Sequence, residues 1–155
     1  MLSILFYFFP GRHVTGVKWR FDRVVDGDTI AFIDPHNPKP IQKISVRIVG
    51  IDTPESTHLA NSEAEKKHGI AAKNYVYDRV KKARQIHVSV NGWDKYGGRV
   101  LGSVKVNGKD LAAELIKEGY AVKYDGGKKS DWAKIIKRRK AKKQNWLIRI
   151  LKKIF

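Results

Sequence analysis

Val24-Val25-Asp26-Gly27-Asp28-Thr29 and, further on, Val46-Arg47-Ile48-Val49-Gly50-Ile51-Asp52-Thr53-Pro54-Glu55 are the stretches on which the reading of this chain turns. Each sets an acidic cluster inside or after a run of β-branched residues, as expected of a strand running into a tight turn. Hard carboxylates on adjacent strands, with a guanidinium five residues ahead of the second cluster, are the parts needed to hold a divalent cation and a phosphate together. Asp-Gly-Asp-Thr alone is also a common turn with capping side chains, and Asp52 alone is open to the same explanation. Both clusters together, with Glu55, weaken it.

The elements around these stretches follow from periodicity. Residues 17–25 alternate Trp19 and Phe21 with Lys18, Arg20 and Asp22, the pattern of a half-buried strand. Thr29–Ile33 reads as a second strand, closed by the breakers Asp34-Pro35-His36-Asn37-Pro38, and 43–51 as a third. Strand alternation puts Arg47 on the face opposite Asp52, so a twist or bulge near Gly50 is needed to bring them together. After a loop over 53–61, residues 62–82 read as a helix, with Ser62 and Glu65 as a capping box and Ala72, Val76 and Val80 on one face. Gly69 lies near its first turn or divides it.

Residues 85–90 and Arg99–Val106 are strands, the latter ending at Asn107-Gly108, and 110–118 is a short helix stopped by Gly119. Five strands and two such helices predict an α+β, mainly β fold: a closed or partly closed five-stranded OB-fold barrel with two to three packed helices.

Composition narrows the partners. A net charge of +17 over 155 residues exceeds what solubility requires and favours a polyanion, nucleic acid ahead of anionic lipid. An apolar fraction of 42% supports a packed interior, and the absence of cysteine excludes disulfides and thiolate metal sites. Residues 2–9 are apolar, but eight residues are too few to span a bilayer, which takes about 20. They lack a basic n-region and a small-residue cleavage site, which favours the cytoplasm over export. A buried first strand and a membrane-touching tip both fit, the strand somewhat better.

From 123 to 155 there are thirteen Lys or Arg against two Asp, a net +11. Trp132, Ile135 and Ile136, then Trp146, Leu147, Ile150, Leu151 and Ile154, recur at helical spacing. A nucleic-acid-binding extension, an interfacial membrane helix and a docked helix with a solvated basic face all fit.

A third cluster, Asp94-Lys95-Tyr96-Gly97-Gly98-Arg99, completes a set. Together with Val25-Asp26-Gly27-Asp28-Thr29 and Val46-Arg47…Asp52-Thr53-Pro54-Glu55, in this order and at about these spacings, it resembles the staphylococcal nuclease (thermonuclease) family over roughly residues 21–124. The resemblance implies a calcium-dependent nuclease acting on DNA and RNA with low sequence specificity. Asp28, Asp52 and the Thr53 carbonyl match the ligands of one Ca²⁺ site, with Asp26 a further acid nearby. Arg47 and Arg99 match the arginines that grip the scissile phosphate, and Glu55 the glutamate that orients or deprotonates the attacking water. Lys95 and Tyr96 match contacts to a neighbouring phosphate, and Tyr124 is the candidate ring at the substrate end. The chain departs from the family in its doubled glycine before Arg99, its long 56–65 loop and both termini.

The expected division is an apolar lead-in over 1–20, a nuclease domain over 21–130 and a basic amphipathic helical extension over 131–155. DNA and RNA are the expected partners, either terminus offers an anionic-membrane contact, and a monomer is expected. The alternative is a catalytically weak module of the same family that binds nucleic acid. Retention of Asp28, Arg47, Asp52, Glu55 and Arg99 favours the enzyme, because a binding module has no need of two metal carboxylates beside a phosphate.

Overall fold

The computed structural model describes residues 2–7, 19–39, 42–95 and 98–154. The expected strand start at Val17-Lys18 and Tyr96 lie outside them.

In chain order the strands are β1 (Leu2–Tyr7), β2 (Arg20–Asp26), β3 (Thr29–Ile33), β4 (Lys43–Ile48) and β5 (Ile51–Asp52). Helix α1 (Glu63–Lys81) follows, then β6 (Gln85–Trp93), β7 (Arg99–Val106) and β8 (Lys109–Asp110). Helix α2 (Leu111–Lys117), β9 (Val122–Lys123) and α3 (Trp132–Ile154) complete the chain. The main sheet runs β1-β6-β7-β4-β3-β2, with β8 on β7, while β5 and β9 form a separate pair. All pairs are antiparallel except β4–β7, whose parallel register sets Ser45 beside Arg99. The β2-β3-β4 meander joined in parallel to the β7–β6 hairpin is an OB-type strand order within an α+β fold. The sheet stays open: β1 occupies the outer edge of β6, and no β2–β6 pairing closes a barrel among the described residues.

The expected third strand breaks at Val49-Gly50. Gly50 has φ +80°, a conformation a side chain disfavours, and the chain leaves the β4 ladder there to pair with β9. Ile30, Phe32, Val46, Ile48, Ile86, Val88, Val104, Val106, Leu111 and Leu115 fill the core. Val76 and Val80 close it from α1. Ser62 caps α1 by accepting from the Glu65 amide (3.1 Å), and Glu65 reaches back to the Asn61 amide (2.9 Å). The Ser62 half of the capping box forms as expected, and only the return bond falls one residue earlier, on Asn61. Gly69 does not divide α1; a β-carbon there would lie 2.3 Å from the Glu55 carbonyl oxygen, so the bare backbone lets the loop lie on the helix.

Candidate active site

The site forms where the β2–β3 turn, the β4–β5 break and the end of β7 meet. Thr29 lies opposite Arg47 on β4, and Arg47 faces Leu101 on β7, two residues from Arg99. Paired residues share a face, as do residues two apart, so Thr29, Arg47 and Arg99 project to one side of the sheet. Gly27 in the turn is hemmed by α1 and the next loop: a β-carbon there would lie 2.9 Å from Ala72 Cβ and 3.1 Å from Thr53 Cβ.

One pocket of about 230 Å³ is lined by Asp26, Asp28, Thr29, Arg47, Thr53 and Pro54. Glu55, Leu59, Arg99 and Lys129 complete its wall. Asp28 is nearly buried and heavily bonded. Its Oδ1 accepts from Thr29 Oγ1 (3.0 Å), and its Oδ2 accepts from Thr53 Oγ1 (3.0 Å) and the Thr53 amide (3.3 Å) and pairs with Arg47 Nη1. Arg47 Nη2 lies 3.9 Å from Asp52 Oδ1, so this guanidinium bridges the two acids. The Gly50 break thus achieves what simple alternation did not. Asp52 lies behind the pocket wall, 1% exposed, its Oδ2 accepting from Trp132 Nε1 and the Ser130 amide. Its Oδ1 is buried with no hydrogen bond.

Asp26 accepts from Ser56 Oγ. Burial pushes its pKa up, the Ser56 hydroxyl opposes that, and the charges of Glu55 and Asp28 add to the rise. Glu55 pairs with Lys129. Burial pulls the Lys129 pKa down, but the hydrogen bond and charge of Glu55, with Asp52 and Asp28 beyond, outweigh it; the net shift is upward and the ammonium stays charged at neutral pH. Arg99, 40% exposed, is held by Asp94 Oδ2 at 2.5 Å.

The donor set suits a hard divalent cation, being oxygen throughout, with Asp52 Oδ1, which has no hydrogen bond and only the 3.9 Å ion pair to Arg47, as the clearest acceptor for one. Among the described residues no three or more His, Asp or Glu side chains gather as ligands, so a cation would rely on two carboxylates, the Thr53 carbonyl and water.

Of the expected residues outside this group, Lys95 is exposed and absent from the pocket wall. Tyr124 lines a neighbouring hollow with Val49, Gly50 and Ile116, its hydroxyl donating to the Gly127 carbonyl at 2.7 Å. Lys129, Ser130 and Trp132 were missed by the sequence reading. They lie 74 to 80 residues from the acids they touch, and the helical spacing of Trp132 with Ile135 and Ile136 signals docking without naming a partner.

An α+β fold with OB-type strand order, carrying paired acids and two arginines at one end of its sheet, defines the class of protein. The family model described as staphylococcal nuclease homologue matches residues 45–146, and the chain belongs to that family. It is 36% identical over 109 residues to a thermonuclease of Staphylococcus intermedius, covering 70% of this chain and 60% of that protein. It is 35% identical over 109 residues to endonuclease YhcR of Bacillus subtilis, covering 66% of this chain and 8% of that protein. A probable endonuclease, LCL3 of Yarrowia lipolytica, is 27% identical over 130 residues, 78% of this chain and 50% of its own length. The chain thus spans between 8% and 60% of the length of these relatives.

Proposed function

We propose that this protein is a calcium-dependent nuclease that hydrolyses phosphodiester bonds of DNA and RNA with low sequence specificity. The observation that carries the reading is the convergence of Asp28, Arg47, Glu55 and Arg99 on one pocket, from three separate parts of the chain. The relatives named as endonucleases and a thermonuclease support it.

Arg47 and Arg99 would grip the non-bridging oxygens of the scissile phosphate, and their fixed forks stabilise charge where it grows during attack. Asp28, Asp52 and the Thr53 carbonyl would hold the calcium ion, which supplies a positive charge to the same oxygens and polarises the phosphorus centre. Glu55, in the pocket wall and paired with Lys129, would orient a water or take its proton once Lys129 gives way to substrate. Contacts confined to phosphate carry no base information, hence the low sequence preference. Lys95, Tyr96 and Tyr124 are proposed as outlying substrate contacts, and residues 21–130 as the unit that carries the chemistry.

Incubating the purified chain with plasmid and with RNA, in calcium and in chelator, tests this. Cleavage of both in calcium alone is expected; chelator-insensitive cleavage, or none in any condition, overturns it. The alternative, a module that binds without cutting, draws on the pairing of Glu55 with Lys129 and of Arg99 with Asp94. It is favoured if gel shifts show binding while no cleavage occurs.

We further propose that the protein acts as a monomer and that the exposed end of α3 contacts anionic membrane. Among the described residues no helix is long and apolar enough to cross a bilayer, so that contact would lie in the interface.

A further inference from the structure

Asp52 is held from outside the core of the site. Ser130 N–H and Trp132 Nε1–H both donate to its Oδ2, each at 3.1 Å. A carboxylate can accept about four hydrogen bonds across its two oxygens. Here both donors fall on one oxygen, and Oδ1 stays buried without any. The arrangement fixes the plane of the carboxylate and leaves Oδ1 without a hydrogen bond, with only the Arg47 guanidinium facing it as an ion pair at 3.9 Å.

Trp132 is itself locked. It is 2% exposed, and the Arg139 guanidinium lies 5.6 Å from its ring while donating to the Gly119 carbonyl. The indole N–H therefore comes from a rigid donor at the start of α3, the geometry by which a surrounding hydrogen bond orients a metal-binding carboxylate.

We infer that Trp132, with the Ser130 amide, is a positioning residue that aims Asp52 Oδ1 at the calcium ion. This rests on the calcium reading above and assigns the first turn of α3 to the metal centre rather than to a separate tail.

Calcium titration calorimetry on the full chain, without nucleic acid, tests it. Trp132→Phe keeps the ring and removes the N–H, and loss of such an orienting bond weakens metal affinity by roughly 10–100-fold. Ile136→Ala, which loosens the same helix without touching Asp52, should lower the melting temperature and leave calcium affinity unchanged. Equal affinity in Trp132→Phe and wild type overturns the inference, as does equal weakening in both variants. Absence of binding by the wild type overturns the calcium reading itself. Should Trp132→Phe not fold, the Trp132 indole N–H resonance of the wild type is decisive: it should shift on calcium addition, and a stationary signal overturns the assignment.

Discussion

Glu55 and Arg99 occupy the same pocket wall but do different work in the proposed reaction, and their substitutions should separate. Glu55→Gln keeps the shape and loses the proton acceptor, so cleavage should fall by about 10²–10⁴-fold with nucleic-acid binding retained. Arg99→Ala removes a charge stabiliser and should cost about 10²–10³-fold in turnover. Single-turnover cleavage beside a filter-binding assay reads both; full activity in either variant sinks the assignment of that residue. Asp28, Arg47, Thr53, Glu55 and Arg99 were legible because each belongs to a short motif whose own turn delivers it to the pocket. Lys129 and Trp132 were not. Their partners lie 74 and 80 residues away, and nothing local distinguishes a lysine that meets Glu55 from its neighbour Lys128.

At the scale of elements, long periodic segments were readable and short ones were not. Thr29–Ile33 and Arg99–Val106 form over the bounds that their flanking turn residues predict, and α1 begins at its Ser62 cap. The two-residue strands β5, β8 and β9 have no period to detect and exist only through tertiary pairing. Gly69 shows how such contacts set the site. An alanine there would gain about 1 kcal/mol of helix propensity. Its β-carbon, however, would lie 2.3 Å from the Glu55 carbonyl oxygen and 2.7 Å from that of Pro54, both backbone atoms. Overpacking costs about 1–3 kcal/mol, and approaches this short to backbone atoms put this position at the upper end. Gly69→Ala should therefore lose about 2 kcal/mol net, a fall of about 4–8 °C in melting temperature for a chain of this size. The displaced loop carries Glu55, so cleavage should drop more than stability alone explains. Calorimetry and cleavage on the same sample check this; an unchanged melting temperature would show that α1 and the loop part without cost.

For the whole molecule, charge and exposed apolar surface coincide at one end. Helix α3 carries ten Lys or Arg and no acid. It docks through Trp132 and Ile136, whereas Trp146, Leu147, Ile150, Leu151 and Ile154 are exposed, Trp146 at 59% and Ile154 at 69%. Charge alone favours nucleic acid ahead of anionic lipid, but phosphate contacts gain nothing from five large apolar side chains, whereas a bilayer interface buries them. Ending the chain after Lys140 removes that stripe with Lys142, Lys143, Arg149, Lys152 and Lys153, and keeps Trp132 on Asp52 and Arg139 on Gly119. Each cation near an anionic surface contributes about 1 kcal/mol, so five plus the apolar burial should be worth at least about a thousandfold in vesicle affinity. The full chain should co-sediment with phosphatidylcholine vesicles containing phosphatidylglycerol and not with phosphatidylcholine alone. The 1–140 chain should sediment with neither while keeping its calcium-dependent cleavage. If instead the full chain ignores vesicles, and truncation lowers the slope of log affinity for DNA against log salt by up to about 4, this end of α3 is a nucleic-acid arm and the membrane contact is excluded.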